Sequence, residues 1–313
     1  MTTHHPRRRR GLRARAAAVA AGTLALTLGV SVAASASDAA AASGSTTAAR
    51  HAAPATSAFS SATADSLPDP NLGWSFPLNG RDSSGTLWDY APKSGGGFAA
   101  RENSGTGFGA AGAFFQNNSG DGTSVNMYAR FGGTLRRYGS SQSPGTVIGS
   151  GWQIYNAFVT PGNLGGAVYP DLLARDTGGT LWVYLSYADG HFTSRTKVGA
   201  GWNIYSQIAG RGDLTGDGNA DIVARDSSGT LWLYKGTGDY HAPFAPRTKI
   251  GAGWNIYNKI LGLGDSNGDG LNDLIARDTS GGLWLYPGTG NATTPYGKRQ
   301  NIGTGWNVYN YLF

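Results

Sequence analysis

The chain has 313 residues, with 50 glycines, 9 tryptophans, 15 tyrosines and no cysteine, and only 14% of it is charged. This composition favours short strands, tight turns and aromatic packing over helices, and it excludes disulfide staples and a lipid-modified cysteine anchor. The formal charge of +6 comes from Arg7, Arg8, Arg9, Arg10, Arg13 and Arg15; without these six, 19 basic residues face 19 acidic ones, so no basic surface is left to bind nucleic acid.

The basic stretch leads into an apolar run from Ala16 to about Ala33 and then the small residues Ala34-Ser35-Ala36. That order predicts a secretion signal over residues 1–36, removed on export, rather than a membrane anchor. Residues 37–70 are Ala, Ser, Thr and Pro with almost no large apolar side chain, and predict a disordered linker. The mature protein is expected to be secreted, monomeric and free of the membrane.

Residues 71–313 repeat. One marker reads GTLWDY from Gly85, GTLRRY from Gly133, GTLWVY from Gly179, GTLWLY from Gly229 and GGLWLY from Gly281, with starts 48, 46, 50 and 52 residues apart. A second marker follows each copy, from GTGFGAAGAFF at Gly105 to GTGWNVYNYLF ending at Phe313. The period matches one blade of a propeller. In unit four, alternation and turn residues predict strands around Asn203 to Ile208, Asp221 to Arg225, Thr230 to Tyr234 and Arg247 to Ile250. Unit one starts late, and the final GWNVYNYLF opens a unit that never continues. The expectation is therefore an all-β, five-bladed β-propeller of four-stranded antiparallel blades, with the C-terminal strand completing the first blade and closing the ring.

Units four and five carry DLTGDGNAD (Asp213 to Asp221) and DSNGDGLND (Asp265 to Asp273). Calcium seeks six to eight oxygens, and these loops offer Asp213, Thr215, Asp217 and Asp221 in one case and Asp265, Asn267, Asp269 and Asp273 in the other, with the Asn219 and Leu271 carbonyls between. Asx-turns without metal are the alternative, since Asp, Asn and Gly also dominate ordinary turns. The loop decays elsewhere. Unit three, NLGGAVYPD from Asn163 to Asp171, is not expected to bind calcium, whereas unit two keeps Asn117, Ser119 and Asp121 as a weaker set.

The string GDLTGDGNADIVARDSSGTLWLYKGTG resembles the FG-GAP or VCBS-type repeats of integrin α-chain propellers, whose DxDGDGxxD loops bind calcium. The segments RTKIGAGWNIYN and GTGWNVYNYLF are similar to the repeats of tachylectins, five-bladed lectins for N-acetylated sugars. Both resemblances imply a propeller, and the second favours five blades.

Catalysis needs a constellation that breaks repeat symmetry, and Glu102 with Asp89 is the only non-repeated carboxylate pair close in sequence. A non-catalytic binding module is expected. Trp182, Trp232 and Trp284 read as core between blades. Trp152, Trp202, Trp254 and Trp306 follow glycine-rich turns and read as partly open; with Asn203, Asn255 and Asn307 they are the candidate sugar contacts. The expected partner is a glycan, the alternatives being an extracellular protein surface or, further off, a glycan-active enzyme.

Overall fold

A computed structural model describes residues 75–118, 125–139 and 144–313. The predicted signal and linker lie outside the described residues.

Among the described residues, twenty strands form five four-stranded antiparallel sheets. Blade one holds β1 (Leu78–Asp82), β2 (Leu87–Tyr90) and β3 (Glu102–Gly105). Blade two is β4 (Ala111–Asn118), β5 (Val125–Phe131), β6 (Thr134–Tyr138) and β7 (Thr146–Gly149). Blade three is β8 (Tyr155–Gly162), β9 (Asp171–Asp176), β10 (Leu181–Tyr184) and β11 (Thr196–Gly199). Blade four is β12 (Tyr205–Ala209), β13 (Ile222–Asp226), β14 (Leu231–Tyr234) and β15 (Thr248–Gly251). Blade five is β16 (Tyr257–Gly264), β17 (Asp273–Asp278), β18 (Leu283–Tyr286) and β19 (Gln300–Gly303).

The last strand, β20 (Tyr309–Leu312), pairs with β1 as the innermost strand of blade one, with Gly80 opposite Leu312. Phe313 and Asn79 exchange both backbone bonds, at 3.0 and 2.9 Å. The ring closes as the incomplete first and last units predict.

Each blade folds for local reasons repeated along the chain. In unit four Asp226 ends β13 and its Oδ1 accepts the Ser228 and Thr230 amides at 3.0 and 2.9 Å, while its Oδ2 accepts the Trp232 indole N–H at 2.9 Å. Gly229 takes φ +81° there, a left-handed turn that a side chain would strain. The same carboxylate bonds recur on Asp82, Asp176 and Asp278. Each of the five hydrophobic clusters joins neighbouring blades, as where Val159 and Leu173 of blade three meet Trp202 and Ile222 of blade four. No blade buries its faces alone, so stability is collective.

The arginine of each Arg-Asp pair does not bridge to its aspartate. It reaches into the next blade: Arg277 Nη1 donates to the Trp306 and Tyr309 carbonyls at 3.0 and 2.8 Å, and Arg81, Arg175 and Arg225 do likewise to the residues in the equivalent places. Four of the five joints are clamped this way. At the joint between blades two and three Arg130 turns back on Gly132, and stacked Phe115, Tyr128 and Phe158 fill the space. Bonds from a charged donor to half-buried carbonyls contribute roughly 1.5–3 kcal/mol. Urea unfolding of Arg277→Ala is expected to show a loss of about 2 kcal/mol, against less than about 0.5 kcal/mol for Arg130→Ala.

Candidate functional site

At four joints a glycine-rich turn leads into one 3₁₀ turn that carries a tryptophan inward: Trp152–Ile154, Trp202–Ile204, Trp254–Ile256 and Trp306–Val308. The preceding glycine has φ of +82° to +86°, which sets the angle of entry. Each indole stacks on a tyrosine of the strand beyond, Trp306 on Tyr90 at 4.6 Å and Trp202 on Tyr234 at 4.7 Å between centroids, with a third ring alongside, Phe98 or Phe244. Two tyrosine hydroxyls meet behind them, as in Tyr205 with Tyr234 at 2.6 Å, and an arginine donates to the pair. That arginine also lies 4.0–4.2 Å from the ring centre of Trp88, Trp182, Trp232 or Trp284. Burial and the shared hydrogen bond push the Tyr234 and Tyr286 hydroxyls well above the ordinary phenol range.

Between blades five and one these groups line a cleft of about 270 Å³ bounded by Tyr90, Phe98, Ile302, Trp306, Val308 and Tyr309.

One expectation about tryptophan is reversed. Trp152, Trp202, Trp254 and Trp306 are 7–8% exposed, because the 3₁₀ turn points them into the joint. Their neighbours Asn203, Asn255 and Asn307 are exposed and do not converge with them: Asn203 and Asn255 lie over the turn glycines Gly179 and Gly229, and Asn307 donates to the Thr279 carbonyl at 3.0 Å. Trp182, Trp232 and Trp284, read from alternation as core between blades, are partly buried and pack against the interblade clusters, with the indole N–H held by aspartate and one face covered by arginine. The pattern that could have shown this is the aspartate six residues before each of them.

In the acidic loops the first and last carboxylates are buried and the middle one is exposed. Asp213 accepts the Thr215, Gly216 and Gly218 amides at 2.7–2.8 Å, and Asp221 those of Leu214 and Gly236 at 2.9 and 2.7 Å. Asp265 and Asp273 repeat the scheme on Gly268, Gly270, Ser266 and Gly288. Burial pushes Asp221 up to about 6 and Asp273 up to about 7, and the two other carboxylates of each loop add to the shift. Asp217 pairs with Lys235 at 3.0 Å, whereas Asp269 takes Asn267 Nδ2 at 2.9 Å and unit five has Pro287 where unit four has Lys235. Asn219 and Leu271 each give their backbone N–H to the middle aspartate.

The donor set, oxygen only and rich in carboxylate, fits a hard divalent cation. Among the described residues, however, no three acidic or histidine side chains are gathered so as to hold a metal ion. In unit two Asn117 is buried and donates to the Pro170 carbonyl at 3.0 Å, while Ser119 and Asp121 lie outside the described residues.

The model of the FG-GAP-like repeat family matches residues 168–223 and 213–276, which take in the end of unit three's decayed loop and both full loops. Residues 168–276 of this five-bladed propeller are FG-GAP-like repeats. Among solved structures the FG-GAP-like propeller is similar to a protein of unknown function from Bacteroides caccae, at 7% identity and a TM-score of 0.36, over 72% of this chain and 73% of that one. It is also similar to BBS1N, solved in complex with ARL6DN, at 11% identity and a TM-score of 0.35, over 79% and 86%. No curated protein matches it.

Glu102 and Asp89 stand opposite each other across β2 and β3, Asp89 buried and Glu102 exposed.

Asp171 shows what such a loop does alone. It is fully buried, accepts the Leu164 amide at 2.8 Å, and burial pushes its carboxyl up to about 7. A carboxyl raised in the fold above its unfolded value near 3.9 holds more protons folded than unfolded, so its stabilising share is complete below about pH 4 and disappears as pH rises through about 7. Denaturant unfolding at pH 5 and pH 8 in excess chelator is expected to give lower stability at pH 8, with a smaller drop in Asp171→Asn; an identical drop in the variant assigns the effect to other groups.

Proposed function

We propose that this FG-GAP-like propeller is a secreted, non-catalytic and multivalent glycan binder whose sites are the four interblade clefts. What carries the reading is repetition: the grouping of Trp306, Tyr309, Tyr90 and Phe98 recurs as Trp152, Tyr155, Tyr184 and Phe192, as Trp202, Tyr205, Tyr234 and Phe244, and as Trp254, Tyr257, Tyr286 and Tyr296. Aromatic walls suit the apolar face of a sugar, and the backbone of the glycine-rich turn supplies donors and acceptors in place of the asparagines. Weak identical sites on one rigid ring gain avidity for a dense glycan surface. A glycan array is expected to show sugar-competable binding, weakened severalfold by Val308→Asp at one cleft. A blank array would sink the reading.

A second reading, a protein-interaction scaffold, rests on exposed aliphatic side chains repeated beside the clefts, Ile154, Ile204, Ile256 and Val308, at 39–53% exposure. A partner recovered by pulldown beside a blank array supports it.

We also propose calcium in the loops of units four and five, held by Asp213, Thr215, Asp217, Asp221 and the Asn219 carbonyl, and by Asp265, Asn267, Asp269, Asp273 and the Leu271 carbonyl. Its support is the anionic oxygen set, with buried carboxylates in mutual repulsion and, in unit five, no lysine to offset them. A metal bound only by the fold adds stability through mass action. Excess chelator is expected to lower the melting temperature, and Asp217→Ala with Asp269→Ala to abolish that sensitivity; an unchanged melting curve refutes the metal.

A further inference from the structure

The innermost strands β4, β8, β12, β16 and β20 surround a cavity of about 80 Å³, lined among others by Phe76, Phe114, Phe158, Lys259 and Tyr311. It has room for several waters or one small ion. The positions opposite the repeated arginine on these strands are Ala113, Ala157, Gln207, Lys259 and Tyr311. Elsewhere the blades repeat their chemistry; here five equivalent places hold four residue types. A ring that binds one ligand in one orientation must break its symmetry at that place.

Gln207 is spent on structure, donating to the Asn258 carbonyl at 2.8 Å and accepting the Ile260 amide at 2.6 Å. Lys259 is not. Its Nζ lies 5.2 Å from the Tyr311 ring centre and donates no hydrogen bond to a described residue, and the ion pairs among the described residues, His191–Asp189 and Lys235–Asp217, leave it out. Tyr311 Oη accepts the Phe114 amide at 3.4 Å, and its O–H donates to no described neighbour.

A second cation stands at this core. Arg211 is 3% exposed, lies 3.6 Å from the ring centre of the cavity-lining Phe76, and bonds only the neutral oxygens of Thr160 and Asn118. The groups facing Lys259 are Tyr311 from β20 and Arg277 from β17, with Arg81 and Arg130 acting on Tyr311 from beyond; none is acidic. Burial and Arg277 push the Lys259 ammonium down to about 8. A buried guanidinium and a partly buried ammonium without a counter-charge among the described neighbours are unfavourable, and a bound anion relieves this.

We propose that the axial cavity is a single binding site for a small organic carboxylate, with Lys259 Nζ and Tyr311 Oη as its donors and Phe114 and Phe158 against its short apolar tail. This site is independent of the interblade clefts and the acidic loops. Titration calorimetry of the whole protein with sodium propionate at pH 6.5, against sodium chloride of equal ionic strength, is expected to show one saturable site per chain. Lys259→Met, its fold checked by its melting curve, should weaken binding at least tenfold, Lys259→Arg should keep it within a few-fold, and Tyr311→Phe should weaken it severalfold while leaving Lys259 in place. At pH 9.5 the wild type should bind more weakly as the ammonium loses its proton. Absence of saturable binding, binding unchanged in Lys259→Met, or tighter binding of inorganic phosphate than of propionate overturns the proposal.

Discussion

The ring rests on one contact made at four joints: an arginine from the second strand of one blade, bonded to two carbonyls where the next blade begins. At three of these joints the carbonyls belong to the first residue of a 3₁₀ turn and the first residue of an innermost strand, and between blades one and two to Phe108 and Ala111, so the bond helps fix where the following sheet starts. At those three joints the tryptophan of the turn and its tyrosine partner stand beside the contact, while between blades two and three the same grouping forms at Trp152 without it. The aspartate beside the arginine works separately, tying its own turn to the indole of the next strand. Two charged neighbours in sequence thus carry no ion pair between them, and each acts through hydrogen bonds of fixed direction.

The architecture was legible because it is periodic. Five GTLW-like strands, five second markers and an unfinished last unit determine blade number, strand count and closure, and β20 lies where that logic puts it. The direction of the tryptophans was not legible, since alternation distinguishes the two faces of a strand but not which one is covered. In a propeller both faces of a blade meet neighbours near the axis and only one does so near the rim. Trp232 sits toward the rim under Arg247, and Trp202 turns inward on a 3₁₀ turn that no alternation pattern encodes. The acidic loops were legible as loops: their carboxylates bind the backbone amides that an Asx-rich turn calls for.

Repetition and its failure divide the molecule by task. Outward, four joints present the same aromatic grouping, which suits many weak contacts with a repetitive surface. At the axis the same strands present unlike side chains, Lys259 among them, and the equivalence that builds the ring gives way.

Blades two and three meet without the arginine latch, through the flat faces of Phe115, Tyr128 and Phe158. Stacked rings attract without fixing an angle and slide over one another at little penalty, whereas hydrogen bonds to two carbonyls resist rotation. This joint has directed bonds of its own, from Asn117 to the Pro170 carbonyl, Tyr128 to the Gly190 carbonyl and Thr160 to the Gln116 carbonyl, so its resistance to twisting is supplied by different residues from those at the other four.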